Sequence, residues 1–202
     1  MCVRYYSSVG GAMDIRWVKT QIELRDDEKQ SIIRALIPYN SLSEDLGGFR
    51  EMLMPGCFSE SNLTVDVRSF WNHNQDLILG RCSSGTLRLN ETEFGLGYEV
   101  SSPDTSWGKD AVASIRRGDV DATSFGFRTD GGVVEWDESD PNCLVRRVIK
   151  GTLIEVSPVV FPAYPTSTVS TRSLLDAFLQ EKAIRTGVSI DVLRRKLKLM
   201  EV

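Results

Sequence analysis

Hydrophobic and polar positions alternate in short runs along most of the chain, and helical spacing appears in only a few places. Residues 15–23 alternate imperfectly and predict a strand, and residues 31–39 predict another. The polar stretch 26–29 lies between them, so the two runs are expected to pair. Residues 40–48 are rich in turn formers, and Pro55-Gly56 is a further break. Residues 65–71 form an apparent strand leading into Asn72-His73-Asn74. Residues 86–90 and 96–100 predict two strands joined by the short segment 91–95. Between 109 and 117, Ala111, Val112 and Ile115 fall at helical spacing, with Gly118 as a stop. Residues 122–128, 144–149 and 153–160 again read as strands, with Gly131-Gly132 turning the chain between the first two.

Many short strands and few helices predict a mostly β fold, a barrel or sandwich with flanking helices. Three parts are expected: a loose arm at 1–14, a β domain at 15–170 and a helical tail at 171–202. Residues 162–171 read as the linker into the tail. There Leu174, Leu175, Phe178 and Leu179 share one helical stripe. Gly187 breaks that helix, and Ser189 is placed to cap a second one through Val192, Leu193, Leu197 and Met200.

At 202 residues, with 41% hydrophobic and 26% charged positions, the chain can bury a core and is not expected to be disordered. The net charge of -4, with no basic stretch interleaved with aromatics ahead of the tail, argues against a nucleic-acid partner. Cys2, Cys57, Cys82 and Cys143 are far apart and lack zinc-site spacing, so they read as reduced thiols of a cytosolic protein. No run of 18 apolar residues is present, so no membrane span is expected. Asp104, Asp110, Asp119 and Asp121 cluster without metal-loop spacing. Arg116-Arg117 and Arg146-Arg147 read as solvated or paired surface charges.

Three residues are candidates for chemistry. His73 is the sole histidine, so any mechanism with an imidazole base must use it; the plainer reading is a surface histidine in a turn. Ser124 stands in Ala122-Thr123-Ser124-Phe125-Gly126-Phe127. On a strand, Phe125 and Phe127 point to one face, and Ala122, Ser124 and Gly126 to the other. Small neighbours leave room for a peptide at the hydroxyl, although such a face also suits simple strand packing. The segment is not G-x-S-x-G, which disfavours an α/β-hydrolase. Glu155 alternates with Ile154 and Val156 and shares a face with Leu153 and Ser157. A carboxylate in so apolar a strand needs a partner or a wet cleft, unless it simply faces solvent.

The order of the segments carries more information than any one of them. Phe49-Arg50-Glu51 precedes Pro55-Gly56-Cys57-Phe58; Trp71-Asn72-His73-Asn74 precedes Leu79-Gly80-Arg81. Thr123-Ser124-Phe125-Gly126-Phe127 follows, and then Leu153-Ile154-Glu155-Val156-Ser157-Pro158-Val159 ending in Pro162-Ala163-Tyr164-Pro165. In this order, over roughly residues 15–170, the chain resembles the tailed-phage prohead protease family. The resemblance implies a herpesvirus-protease-like β-barrel with flanking helices. It implies a serine endopeptidase, packaged in the immature head within the host cytoplasm, that cuts segments of the major capsid and scaffold proteins and also itself. His73 carries over as general base and Ser124 as nucleophile. Glu155 carries over as the third member, a position where the related viral enzymes use another residue type. The Gly126 backbone is a candidate oxyanion donor. No metal or organic cofactor is implied, and a homodimer is. Two other readings stay open: a non-enzymatic capsid- or scaffold-binding module on the same barrel, and a small-molecule-binding barrel, which would need an apolar cavity.

Overall fold

The computed structural model describes residues 13–20, 22–26, 30–60, 64–140, 142–160 and 169–200. Within them the chain is mostly β. The strands are β1 (Asp14–Lys19), β2 (Glu23–Asp26), β3 (Ser31–Pro38), β4 (Arg50–Leu53), β5 (Arg68–Trp71), β6 (Asn74–Arg81), β7 (Leu87–Glu91), β8 (Gly95–Ser101), β9 (Ala122–Asp140) and β10 (Cys143–Val159). The helices are α1 (Ser106–Arg116), α2 (Val169–Thr186) and α3 (Ile190–Met200). The strands make two sheets. The larger runs β1-β9-β10-β5-β6, with β4 also paired to β10; the smaller runs β2-β3-β8-β7.

Alternating apolar residues of both sheets share one core. Ile33, Ile37, Tyr98 and Val100 of the small sheet join Phe125, Phe127, Val148, Leu153 and Val156 of the large one. Phe58 plugs the space between them, edge-on to Phe125 at 6.4 Å and to Phe127 at 5.6 Å. Helix α1 closes one end with Ala111, Val112 and Ile115, the residues at the predicted helical spacing. Its N-terminus is capped by Thr105, whose side chain accepts from the Gly108 N–H. A second cluster lies under the tail helices, where Phe178, Leu179 and Leu193 meet Leu46, Phe49 and Leu144. Trp136 of β9 stacks on Phe178 at 4.6 Å. The tail helices break at Gly187, which takes φ +71, and the Val192 N–H reaches Ser189 at the start of α3.

Several sequence expectations need correction. Residues 15–23 do not form one strand: β1 ends at Lys19, and Glu23 opens β2, which belongs to the other sheet. It is β2 that pairs with β3, whereas β1 pairs with β9. Asp14, assigned above to the arm, opens β1 and is buried. Residues 1–12 lie outside the described residues, as does most of the expected linker, of which Val169 already begins α2. Gly131-Gly132 does not end a strand: β9 runs through the pair with Gly131 at φ +70, and β10 likewise runs through Gly151. Register shifts opposite these glycines absorb the extra residues as bulges, so one long bent hairpin replaces three shorter strands. Strands β4 and β6 were not anticipated.

Replacing Phe58 by alanine empties the joint between the sheets, and a loss of about 3–5 kcal/mol in urea-unfolding stability is expected.

Candidate active site

The central strands of the large sheet place the three candidate side chains by register. Across the β9–β10 ladder, Ser124 faces Ser157 and Gly126 faces Glu155. Directly opposed residues of an antiparallel pair point to the same face. Ser124, Gly126, Glu155 and Ser157 therefore line one face, with Phe125, Phe127 and Val156 on the core side. Strict alternation put Leu153 on the face of Glu155, and this is incorrect. A bulge falls between them: Leu153 pairs with Phe127 and is buried in the core, and the extra residue turns Glu155 to the other side.

His73 arrives from the neighbouring hairpin. Strand β5 runs parallel to β10, with Glu155 opposite Arg68, and β5 then turns into β6. The turn is Asn72-His73, closed by the pair Trp71–Asn74, and both central residues have positive φ, 57° and 60°. Such a two-residue hairpin turn requires left-handed backbone at both positions, and asparagine and histidine tolerate it better than most residues. The turn is anchored to the end of β10. The Asn72 N–H donates to Pro158 O at 3.1 Å, and Asn72 Oδ1 accepts from the Val160 N–H at 3.0 Å.

These placements converge. His73 Nε2 lies 2.7 Å from Ser124 Oγ, and His73 Nδ1 lies 2.9 Å from Glu155 Oε1. The second carboxylate oxygen of Glu155 accepts from Ser157 Oγ at 3.0 Å, and Ser157 Oγ accepts from the Phe70 N–H at 3.3 Å. Glu155 is only 4% exposed, so its charge relies on these two donors rather than on water. A second network holds the strand itself: Tyr98 Oη meets Thr123 Oγ1 at 2.7 Å, and Thr123 Oγ1 donates to Ser157 O at 3.3 Å.

Gly126 serves a different need from the one its sequence suggested. A Cβ there would lie 2.9 Å from Met13 Sδ and 3.0 Å from Glu155 Cγ. The missing side chain makes room for the Glu155 carboxylate and for Met13. Both flanking strands pair at this residue, Ile15 on one side and Glu155 on the other.

A buried charge cluster on the Phe125 and Phe127 side of the large sheet, the face away from Ser124, was missed by sequence reasoning. Arg146, read above as a surface charge, is 1% exposed. It contacts Glu51 through Nη1 and Thr129 Oγ1 at 2.9 Å through Nη2. Glu51 also binds Arg16, with Oε1 2.8 Å from Nε and Oε2 3.3 Å from Nη2, while Arg16 Nη2 reaches Asp14 at 3.5 Å. Burial raises the Glu51 carboxyl, but Arg16 and Arg146 outweigh it and hold Glu51 below its ordinary value. For Asp14 burial prevails over the two arginines, and its carboxyl sits above the usual range. The only hint in the sequence was an arginine beside Trp17 in a strand-like run. Arg147 is indeed paired, to Asp137 at 2.5 Å.

The other candidates are ordinary. Asp104, Asp119 and Asp121 pair with Lys109, Arg117 and Lys19. Among the described residues no group of three His, Cys, Asp or Glu side chains is placed to hold a metal ion, and no helix is long and apolar enough to cross a membrane. Cys57, Cys82 and Cys143 are free thiols, and burial pushes Cys57 well up.

A serine hydroxyl, an imidazole and a carboxylate joined in this order form the arrangement of a serine peptidase. The profile of the Caudovirus prohead serine protease family matches residues 19–181, and the chain belongs to that family. No curated protein matches the chain. Among solved structures, the bacteriophage T4 capsid assembly protease gp21 is similar, at 12% identity and a TM-score of 0.49, over 74% of this chain and 98% of that one.

Two substitutions test the local construction. Gly126→Ala forces Glu155 or Met13 to move and should cost about 1–3 kcal/mol of stability, with the Nδ1 proton signal of His73 shifting in NMR spectra. Asn72→Ala removes a carbonyl acceptor and the tolerance of left-handed backbone at the turn, and should cost about 1–2 kcal/mol in thermal unfolding.

Proposed function

We propose that this protein is a serine endopeptidase of phage head maturation in which Ser124 is the nucleophile, His73 the general base and Glu155 the group that orients the imidazole. The observation that carries this reading is the continuous path from Glu155 Oε1 through both ring nitrogens of His73 to Ser124 Oγ, at 2.9 and 2.7 Å. A serine hydroxyl is a weak nucleophile until a base takes its proton. His73 Nε2 takes that proton as Oγ bonds to the substrate carbonyl carbon. The proton then goes to the departing amine as the peptide C–N bond breaks, leaving an acyl-enzyme. Water, deprotonated by the same nitrogen, releases the acid and frees Ser124. Glu155 fixes the Nδ1–H tautomer and offsets the positive charge on the ring during each step. Ser157 holds the far oxygen of Glu155, so the carboxylate presents one fixed oxygen to the ring.

Family membership directs the reading of substrate and place. The proposed substrates are segments of the major capsid and scaffold proteins, and the chain itself. The proposed setting is the immature head in the host cytoplasm, with the protease acting as a homodimer. The Gly126 N–H remains a proposed oxyanion donor, available if the strand beside it gives way. No step requires a metal or organic cofactor.

The test is intact mass spectrometry of the wild-type protein and of Ser124→Ala, each co-expressed with the capsid and scaffold proteins of the same phage. Fragments should appear with wild type alone, with at least about a 10³-fold loss of cleavage rate in the variant. Identical masses with both proteins folded would favour a capsid-binding module instead. Glu155→Gln keeps the shape but loses the charge, and should lower kcat by about 10²–10⁴-fold with little change in KM.

A further inference from the structure

The three side chains of the proposed site ride on two separate frames. Glu155 is part of β10, and the turn that carries His73 is pinned to the end of β10, where Asn72 bonds the Pro158 carbonyl and the Val160 N–H. Ser124 belongs to β9. The 2.7 Å contact between Ser124 Oγ and His73 Nε2 therefore depends on how β9 is held against β10 at this one row. The ladder holds it over a short stretch only. Strand β9 starts at Ala122, opposite Val159, and the bulge between Leu153 and Glu155 interrupts the pairing on the other side.

A chain of hydroxyls reinforces this stretch from the core side. Thr123 precedes the proposed nucleophile, points to the opposite face and is fully buried. Its Oγ1 donates at 3.3 Å to the carbonyl of Ser157, the residue across the ladder from Ser124. A threonine has one hydroxyl proton, and a carbonyl can only accept. The 2.7 Å contact between Thr123 Oγ1 and Tyr98 Oη is then donated by Tyr98. Tyr98 stands on β8, between β3 and β7 in the small sheet, and its buried side chain reaches across the core. Burial raises the Tyr98 phenol well above its ordinary value, so the proton it donates stays in place. The small sheet thus fixes the Thr123 hydroxyl, and Thr123 ties β9 to β10 beside Ser124.

Stability does not call for these hydroxyls. Phenylalanine and valine have nearly the same shapes as tyrosine and threonine. Replacing both partners of a buried hydrogen bond by apolar groups of the same shape is close to neutral or stabilising. Valine also suits a strand as well as threonine does. The next core-facing side chains of β9, Phe125 and Phe127, are apolar. The polar pair stands at the position next to the nucleophile, and it bonds to the strand that carries Glu155.

We propose that Tyr98 and Thr123 are positioning residues of the peptidase, a hydroxyl chain through the core that fixes β9 against β10 and so sets Ser124 Oγ within reach of His73 Nε2. The inference rests on the reading of Ser124 as the nucleophile, and its spectroscopic test does not need catalysis. Loss of the chain displaces Ser124 and leaves the His73–Glu155 contact in place, since both partners are held by β10. A misplacement of about 1 Å costs about 10²-fold in rate, so about half that shift costs about 10-fold.

The full chain carrying Tyr98→Phe and Thr123→Val together is compared with wild type and with Thr123→Ser. Urea unfolding is measured first. Phosphorylation of Ser124 by diisopropyl fluorophosphate is followed by intact mass spectrometry. The imidazole nitrogen NMR spectrum is recorded, and its signals belong to His73 because that is the sole histidine. The double variant should unfold at the wild-type urea concentration or above it. It should react about 10-fold more slowly and show a moved Nε2 resonance with Nδ1 unchanged. Thr123→Ser keeps the hydroxyl and should retain the rate to within about 3-fold. A folded double variant with the wild-type rate and Nε2 position would overturn the proposal. So would Nδ1 and Nε2 moving together, which marks a general loosening of the sheet. Should the double variant fail to fold, Tyr98→Phe alone removes a single oxygen and is read in the same way, with a loss of at least about 3-fold expected. A wild-type protein that forms no adduct, while Nε2 responds as expected in the double variant, would sink the protease reading and leave the hydroxyl chain standing as what sets Ser124 against His73.

Discussion

The register between β9 and β10 is the constraint on which the rest of the site depends. It pairs Ser124 with Ser157 and Gly126 with Glu155, and the bulge after Leu153 is what allows Leu153 to enter the core while Glu155 faces the histidine. A slip of one residue would turn Phe125 toward His73 and bury Ser124 among the core aromatics. The core enforces the register. Phe125, Phe127, Val156 and Leu153 are buried against Phe58 and the small sheet, and each fits only on its present side. Hydrophobic packing on one face of the sheet thus sets polar geometry on the other.

Charge is handled by the same economy of position. Glu155 is buried, but one imidazole nitrogen and one serine hydroxyl satisfy it. Asp14, Arg16, Glu51 and Arg146 are buried together with no net charge. Family membership speaks for residues 19–181, whereas β1 lies almost wholly ahead of them.

Much of the local structure was legible in the sequence. Alternation located β3, β8 and the first half of β9, helical spacing found α1, and the stripe 174–179 with Gly187 and Ser189 marked the tail helices. The three side chains singled out for chemistry do lie together. What could not be read was non-local. Alternation reports that a segment is extended but not which strand it joins, so β1 was paired with its sequence neighbour rather than with β9, more than 100 residues away. Gly131-Gly132 and Gly151 have the composition of turns, yet here they are bulges within one long bent hairpin, kept extended by the pairing of β9 with β10. Periodicity also says nothing about whether an arginine is buried against a carboxylate from another strand, and Arg146 was misjudged for that reason. The role of Gly126, making space for Glu155, emerges only once both strands are in place.

The measurement that tests the central claim most directly is chemical trapping of Ser124. The full chain and its His73→Ala variant are incubated with excess diisopropyl fluorophosphate and mapped by peptide mass spectrometry. The account predicts one phosphoryl adduct on Ser124, absent when His73 is replaced by alanine. Folded protein with no adduct on Ser124, or an adduct that forms equally well without His73, would contradict it.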